Sequence, residues 1–440
     1  MKFNKCKSLL STLFLMSMVH AKNNDSYYDK KEILAETQWK DVSIQENAPF
    51  HLSVLSQGRF DENLIKKYDK NYYYPSSAGE GVEIIVVDLG FNFTYEDFSD
   101  IDAKCEAVVK GGVVTKPESE EQCYASYAVY DHGSLVSSII AGKINGVAKK
   151  ANIHGILIDN PSQDNISLFT DFNAVLQYIL DQNLIKSNKT VINFSIGSYV
   201  KLEDLENLEL YKTTKSLIKE IVNKGAVIVA ASGNDGLTVS NNGVPIVPCS
   251  LDNVICTGGI GTQSEPLSVD EIDSSFYNLG NAEESGLLLK SNYGEVDIYS
   301  PFVVHYQGIF SVSALMFGID GDFVINEYYN KVLPGTSTSS PIVAGVIATL
   351  MSEFPEKEFN YETTLKYLTD LAEKDMILDL PVNENYPNLF INNGKKNVYD
   401  ASLLTDIPSV EDIESISEDE VEVESNSDNE GEEIDSADEQ

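Results

Sequence analysis

Short apolar runs alternate with segments of helical periodicity from about residue 81 onward. Each run is long enough for one buried strand and ends at a turn. Helix-like segments at 133–144, 172–183 and 205–223 separate the runs. This alternation predicts a parallel sheet covered by helices on both faces, which is an α/β architecture. The predicted strands are VEIIVVDLG, ANIHGILID, TVINFSIG, AVIVAASGND and DNVICTGGI.

Two polar residues lie where predicted strands end. Asp88 follows the run EIIVV, and Asn234 follows VIVAASG. In open α/β sheets functional residues gather at the carboxyl ends of the strands. We therefore expect Asp88 and Asn234 to lie at one edge of the sheet.

The segment 333–351, LPGTSTSSPIVAGVIATLM, predicts a turn followed by a buried helix. Pro334 and Gly335 end the preceding element, and the apolar run 341–351 is long enough for about three helical turns. Ser337 then lies at the helix start, where free backbone N–H groups and the helix dipole favour negative charge. It is either an ordinary N-cap serine or a nucleophile whose oxyanion product that helix end stabilises.

A serine that hydrolyses an amide also needs a base, a group that orients the base, and donors for the oxyanion. Among the five histidines, His132 is the candidate base because it lies at a turn that opens a helix. Gly133 beside it permits close approach of backbone or substrate. His154 lies inside an apolar strand, and we expect a satisfied core or edge histidine there. The other histidines lie in the first 21 residues or outside the alternating segment: His20, His51 and His305.

Several segments resemble the motifs of the subtilisin-like serine proteases (peptidase S8), in the branch of fungal proteinase K and cerevisin-like enzymes. Their order along the chain, Asp then His then Ser, is the subtilisin order. Each motif is weak alone, but several in register are a strong signal. The segments are DLG at 88–90, HGS at 132–134, NFSIG at 193–197, ASGN at 231–234, SNYG at 291–294 with VDI at 296–298 and SP at 300–301, and GTSTSSP at 335–341.

The resemblance implies a three-layer subtilisin-like fold with a central, mostly parallel sheet, and a serine endopeptidase mechanism. Ser337 would attack the peptide carbonyl, His132 would transfer the proton, and Asp88 would orient the imidazole. The Asn234 side chain and the Ser337 backbone N–H would hold the oxyanion. Small side chains in the walls of the S1 pocket would admit an apolar or aromatic residue. The implied substrate-binding residues are Ser195, Ile196, Gly197, Ala231, Ser232 and Gly233.

Residues next to these motifs depart from the family pattern. Asp131 places a carboxylate beside His132, and at close range it should raise the pKa of that histidine. Leu89 replaces the usual Thr or Ser after the aspartate, which removes a hydroxyl. Thr338 and Ser339 replace Met-Ala after the nucleophile. These changes delete no catalytic atom, but they bear on efficiency.

The first 21 residues have the pattern of a secretory signal peptide. A basic n-region with Lys2, Lys5 and Lys7 precedes a short apolar h-region and a small-residue cleavage site ending at Ala21. The h-region is too short for a comfortable membrane span, and no later segment is suited to one. We expect a soluble protein of the secretory pathway, in the extracellular space, a cell or spore wall, or a vacuole. Sequons that fit glycosylation begin at Asn24, Asn92, Asn165 and Asn188.

Three regions are expected after the signal peptide. Residues 22–46 are polar and irregular and form a short N-terminal extension, 47–402 form the peptidase domain, and 403–440 form a tail. An insertion of roughly 30 residues, 303–333, precedes the nucleophile. The extension is too short for the prodomain of secreted subtilases. We therefore expect folding without one, a prodomain or inhibitor acting in trans, or loss of activity.

The net charge of −38 and the pI near 4.3 argue against nucleic-acid binding, which needs a basic face. Residues 411–440 include fifteen acidic residues and no Lys or Arg. This composition, without aromatic residues, predicts a disordered tail. The tail is either a solubilising segment or one that docks a partner or binds cations.

Four cysteines remain after the signal peptide, an even number suited to an oxidising compartment. Pairing of neighbours is favoured, although three connectivities are open, and the spacings fit no zinc site. The implied chemistry requires no cofactor. Subtilases often bind calcium, so structural calcium stays open, although no segment has an identifiable calcium loop. The cysteines are Cys105, Cys123, Cys249 and Cys256.

Two interpretations from different classes remain. The first is a secreted endopeptidase whose partners are protein or peptide substrates, with neither nucleic acid nor a membrane span involved. The second is a catalytically silent protein of the same fold, serving as a structural or binding component of a cell or spore wall. The complete Asp, His, Ser and Asn set favours the enzyme. A serine esterase of another fold is disfavoured because no Gly-x-Ser-x-Gly elbow surrounds Ser337.

Overall fold

The structure, a computed structural model, describes a folded region that excludes the predicted signal peptide and the acidic tail. Within it, no helix is long and apolar enough to cross a bilayer. The described residues are 28–58, 69–124, 132–159, 165–201, 209–261, 274–284, 287–307, 315–317, 323–325, 332–381 and 386–398.

The elements of this region alternate as the apolar pattern predicts. The α-helices are α1 Lys30–Thr37, α2 Phe50–Ser53, α3 His132–Ala141, α4 Asn165–Asp181, α5 Glu209–Asn223, α6 Thr336–Glu353 and α7 Tyr361–Leu371. The strands are β1 Val42–Gln45, β2 Tyr72–Pro75, β3 Glu83–Asp88, β4 Ala103–Lys110, β5 Val113–Thr115, β6 Asn152–Ile158, β7 Thr190–Phe194, β8 Ser198–Tyr199, β9 Ala226–Ala231, β10 Ile246–Val247, β11 Val254–Ile260, β12 Asn281–Glu284, β13 Leu287–Lys290, β14 Ile298–Pro301, β15 Val303–His305, β16 Leu315–Phe317, β17 Phe323–Ile325, β18 Val332–Pro334, β19 Glu373–Lys374 and β20 Leu389–Phe390.

Ten of the described strands form one mostly parallel sheet. Its parallel neighbours run in the order β20, β14, β11, β9, β7, β3, β6, β4, and the short strands β19 and β5 pair antiparallel at the two edges. The chain starts the parallel set at β3, adds β4 and β6 on one side, and then adds the later strands on the other. This reversal beside β3 is a switch point, where α/β sheets bind ligands beyond the strand ends.

Helices cover both faces of this sheet. On one face α3 and α6 pack against each other, and on the other face α4 packs against α5. Every residue of β3, β7, β9 and β11 is buried, as expected for strands with helices on both sides. The predicted three-layer α/β fold is confirmed.

The described part of the N-terminal extension is regular, which corrects the prediction of an irregular segment. Asp29 caps α1 by accepting two backbone N–H bonds at 2.7 and 3.3 Å. β1 pairs antiparallel with β2, and Ile33 and Trp39 are buried against Tyr73. The polar composition concealed this arrangement because only a few apolar side chains dock the segment.

Two predicted helices have different bounds in the structure. α3 ends at Ala141 rather than 144, because the Asp97 carboxylate accepts from Ser138 Oγ and from the backbone N–H of Ile144. α4 begins at Asn165 rather than 172, and its first turns bury Phe169. Tertiary contacts therefore decided both boundaries.

The inserted segment before Ser337 begins and ends as an antiparallel ribbon. β15 pairs with β18, and Val303 and Val304 in β15 are fully buried. The Gly335 N–H then donates to the Phe302 carbonyl at 2.8 Å. The ribbon therefore anchors the start of α6 to the sheet.

Disulfides join Cys105 to Cys123 and Cys249 to Cys256, the neighbour pairing favoured from sequence. The first bond ties β4 to a short turn whose Cys123 carbonyl accepts from the Phe91 N–H at 2.7 Å. Because Phe91 lies just after β3, this disulfide supports the loop that follows Asp88.

Candidate active site

Asp88 is the last residue of β3 and is fully buried. Its Oδ1 accepts the Leu89 backbone N–H at 2.7 Å, and the same oxygen contacts His132. Its Oδ2 is buried without a hydrogen-bond partner in the described structure. The absence of a hydroxyl at Leu89, noted from the sequence, accompanies this unsatisfied oxygen.

His132 is the first residue of α3, and its Nδ1 lies 2.6 Å from Asp88 Oδ1. The helix can come this close because residue 133 is glycine. A Cβ on Gly133 would lie 2.5 Å from the Phe91 ring and 2.6 Å from the Gly90 carbonyl oxygen. Asp131 lies outside the described residues, so its effect on the pKa of His132 stays a prediction.

Ser337 is the second residue of α6 and is half-buried, whereas its neighbours are buried. Gly335 precedes the helix with φ 126°, a conformation that favours glycine. The Ser337 hydroxyl donates to the Ser195 carbonyl at 3.1 Å. This bond directs the Ser337 hydroxyl to the residue that follows β7.

Pro341 lies four residues after Ser337, and this spacing has a structural consequence. A helix normally bonds the carbonyl of residue i to the N–H of residue i+4, but proline has no N–H. The Ser337 carbonyl is therefore available, and Ser195 Oγ donates to it at 3.0 Å. Ser195 and Ser337 thus form two reciprocal bonds that hold the helix start against the end of β7.

Asn234 lies three residues beyond β9 and is held by the residue before Ser337. Its Oδ1 accepts from the Thr336 backbone N–H at 2.8 Å and from Thr336 Oγ1 at 3.1 Å. Thr336 Oγ1 in turn accepts the Gly233 N–H at 3.0 Å. With the amide oxygen fixed in this way, Nδ2 is the group that can donate to a ligand. Sequence reasoning missed this role of Thr336, although the Gly-Thr-Ser motif contained it.

A cavity of about 590 Å³ lies beyond the carboxyl ends of the strands. Ser337 and Asn234 line it, and so do five of the six predicted substrate-binding residues. The exception is Ser232, which is fully buried, with its N–H donating to the Thr257 carbonyl at 2.9 Å. The predicted residues that line the cavity are Ser195, Ile196, Gly197, Ala231 and Gly233.

Other cavity residues come from elements that the motifs do not include. Leu168, Asp171 and Phe172 lie on one face of α4, and Ile158 ends β6. Their spacing of three and four residues is the ordinary signature of a buried helix face, so it gave no functional signal.

The Asp88–His132 pair and the Ser195–Ser337 bridge lie at the ends of neighbouring strands in the sheet. Val87 is paired with Phe194 in the β3–β7 ladder, so Asp88 and Ser195 follow at the same level on neighbouring strands. Neighbouring strands lie about 4.8 Å apart. The Asp88–His132 pair therefore lies one strand away from the Ser195–Ser337 bridge, and Leu89 lines the same cavity as Ser337.

No cluster of three or more His, Cys, Asp or Glu suited to a metal ion is present in the described part of the chain. The calcium site considered from composition has no support among these residues.

Comparisons with known proteins identify the family of the chain. The model of the subtilase family matches residues 79–392. A subtilisin-like protease of Coccidioides posadasii is 29% identical over 371 residues, covering 83% of this chain and 70% of that protein. Subtilisin-like protease 2 of Arthroderma otae is 29% identical over 284 residues, covering 64% of this chain and 52% of that protein.

The fold also matches a solved structure, that of a cold adapted subtilisin-like serine proteinase. The TM-score is 0.50 at 20% identity, and the match covers 79% of this chain and 99% of the other. At this identity the likeness concerns the fold. Taken with the family model, which spans most of the described residues, it establishes that the chain belongs to the subtilase family.

Proposed function

We propose that this chain is a serine endopeptidase in which Ser337, His132 and Asp88 form the catalytic triad. The observation that carries the proposal is the 2.6 Å contact between Asp88 and His132 beside the cavity that holds Ser337 and Asn234. Membership of the subtilase family supports a serine protease mechanism.

The reaction begins when the Ser337 side chain turns from the Ser195 carbonyl toward His132. His132 accepts the hydroxyl proton as the oxygen attacks the substrate carbonyl, and Asp88 stabilises the imidazolium that forms. The proton then passes to the leaving amine, and water hydrolyses the acyl-enzyme by the same steps. Bonds between such groups are often long or misaligned before substrate binds.

The oxyanion would be held by Asn234 Nδ2 and the Ser337 backbone N–H. The first turn of a helix has backbone N–H groups without intrahelical partners, and the helix dipole adds favourable potential. Thr336 orients the amide by binding its oxygen. Losing one such donor costs about 2.7–4 kcal/mol in subtilisin itself.

Secretion and peptide substrates are part of the same proposal. The signal-like first 21 residues and the two disulfides support an oxidising, extracellular or luminal compartment. Apolar walls, including Ile196, Ile246 and Phe172, support apolar side chains in part of the cavity.

The catalytically silent alternative is favoured by one observation, the engagement of the Ser337 hydroxyl with Ser195. In that case the serine would be a helix-start bridge and not a nucleophile.

Labelling with a fluorophosphonate probe separates the two. We expect stoichiometric labelling of the secreted protein, complete loss in Ser337→Ala, and full labelling in Ser240→Ala, which changes an exposed serine outside the cavity. A folded protein that takes up no probe would refute the protease proposal and support the silent one.

A further inference from the structure

Among the residues that the structure describes, those lining the cavity include two carboxylates and no Lys, Arg or His. One carboxylate, Asp235, is exposed and accepts the Tyr199 hydroxyl at 2.9 Å. The other, Asp171, lies on α4 and is only 4% exposed. A buried acid in the wall of a proposed peptide-binding cavity needs a physical explanation, because burying a charge is costly unless it is compensated.

Asp171 is held by backbone amides and not by a cation. Its Oδ1 accepts the Gly112 N–H at 2.6 Å in the turn between β4 and β5. Burial raises the pKa of Asp171, and the amides of Gly112 and Gly111 oppose that rise. Within the described residues Asp171 has no ion pair, and the groups that stabilise its charge are the neutral backbone amides of this turn.

The position of Asp171 is set by the sheet. The turn that contains Gly112, to which Asp171 is hydrogen-bonded, follows β4. Ser337 is hydrogen-bonded to Ser195, which lies just after β7. The strands from β7 to β4 run β7, β3, β6, β4, which are three spacings of about 4.8 Å, or roughly 14 Å. An extended substrate advances about 3.4 Å per residue. For a substrate that lies extended across these strand ends, the turn that binds Asp171 is about four residues from the bond that Ser337 would attack.

We propose that Asp171 makes the cavity select a cationic side chain, lysine or arginine, about four residues from the scissile bond. This inference rests on the proposed peptidase function and names the substrate class of that same site. A guanidinium or ammonium group would supply the positive charge that the described cavity residues do not provide. Hydrogen bonds that include a charged partner are stronger than neutral ones. We therefore expect kcat/KM to be about tenfold to a hundredfold higher for a cationic side chain than for a neutral one of the same shape.

A purely structural role is the competing explanation, because Asp171 also fastens the β4–β5 turn to α4. Asp171→Asn separates the two roles. The asparagine keeps an oxygen that can accept the Gly112 N–H, while it removes the charge. Asp235→Asn is the matched control, because it removes the other carboxylate of the same cavity.

The test uses fluorogenic peptides that carry arginine or its neutral analogue citrulline at each of five positions on either side of the scissile bond. The wild type should show a tenfold to hundredfold higher kcat/KM for arginine at one position about four residues away. Asp171→Asn should bring that ratio close to one. Asp235→Asn should preserve the ratio.

A wild-type ratio near one at every position would overturn the proposal, as would a ratio that survives in Asp171→Asn or disappears in Asp235→Asn. Fluorescence anisotropy of peptides binding to Ser337→Ala distinguishes failure of this proposal from failure of the protease proposal. Tighter binding of the arginine peptide to that variant, lost on adding Asp171→Asn, supports the charge selection even if no peptide is hydrolysed. Equal binding of the two peptides contradicts it.

Discussion

Strand β3 has a carboxylate at each end, and each carboxylate contacts a histidine at 2.6 Å. At the carboxyl end Asp88 contacts His132, and at the amino end Glu83 contacts His154. All four side chains are at most 15% exposed. The same local pair therefore occurs at both edges of one sheet, and the cavity that Ser337 and Asn234 line lies at the carboxyl edge.

The amino-end pair is part of a saturated cluster. His154 Nε2 contacts Glu83, and its Nδ1 contacts Glu106 at 2.7 Å. Lys186 and Lys104 form ion pairs with these two glutamates. Burial lowers the pKa of His154, but the two glutamates outweigh that effect and raise the pKa overall. Since carboxylates contact both ring nitrogens, neither nitrogen is available to accept a proton from a substrate, and we expect the cluster to have a structural role.

The carboxyl-end pair differs in its surroundings. No cation is described next to Asp88, its Oδ2 is unsatisfied, and the neighbouring residue Leu89 lines the cavity. A histidine–carboxylate contact alone thus does not identify a catalytic residue. Its position at the carboxyl edge of a parallel sheet, near a cavity, does so far better.

The largest expected effect is the loss of activity in His132→Ala. Removing the proposed base should lower kcat/KM by about 10⁴- to 10⁶-fold, the range that serine proteases including subtilisin itself show. Peptide hydrolysis by protein shown to be folded by near-UV circular dichroism measures this. The control is His154→Gln, which should retain activity per folded molecule. Equal losses of activity in His132→Ala and His154→Gln would contradict the proposed difference between the carboxyl and amino ends of β3.

Asp88→Asn should lower kcat by about 10⁴-fold, because an asparagine stabilises neither the imidazolium nor the correct tautomer. The matched change at the other end of the strand, Glu83→Gln, should leave kcat within about threefold. Steady-state kinetics on both variants measure the difference. An Asp88→Asn enzyme with near wild-type kcat would remove Asp88 from the mechanism.

His154→Gln should instead lower the free energy of unfolding by about 2 kcal/mol, because it leaves the buried Glu83 and the half-buried Glu106 with fewer partners. Urea denaturation of the disulfide-bonded protein measures this change. An unchanged unfolding midpoint would show that the cluster contributes no net stability.

The contribution of the cluster should also depend on pH. The raised pKa of His154 means that its stabilisation is complete below about pH 6.5 and is lost as pH rises through the folded pKa. Burial raises the pKa of Glu83, but Lys186 and His154 lower it overall, so its stabilisation is present above about pH 4.5 and is lost on acidification.

The stability difference between wild type and His154→Gln should therefore peak between about pH 4.5 and 6.5. Urea unfolding from pH 4 to pH 9 in fixed ionic strength tests this, and a difference that grows above pH 7 would reverse the assigned sign.

The smallest expected effect concerns the unsatisfied oxygen of Asp88. Leu89→Thr returns a hydroxyl beside this buried carboxylate, and one added hydrogen bond of about 1 kcal/mol corresponds to about a fivefold gain in kcat/KM. Valine has nearly the same shape as threonine but lacks the hydroxyl, so Leu89→Val should give no gain in kcat/KM. Equal kinetics for the two variants would mean that Asp88 needs no further partner.

Local patterns were sufficient to predict the strands and, with the family resemblance, to propose the catalytic candidates. Runs such as EIIVV and VIVAA predicted β3 and β9 because a strand covered by helices on both faces must be apolar throughout. The motif around Ser337 predicted a helix start with free N–H groups. These properties depend only on residues close together in the chain.

Only the tertiary structure placed Asp171 in the cavity and His154 in a charged cluster. The partner of Asp171 is Gly112, which lies in a turn remote in sequence, and the partners of His154 come from two other strands. Helical or strand periodicity reports that a side chain is buried but not what it meets there. The order of strands in the sheet decides which distant residues share an edge, and hence which carboxylates face a cavity and which are neutralised.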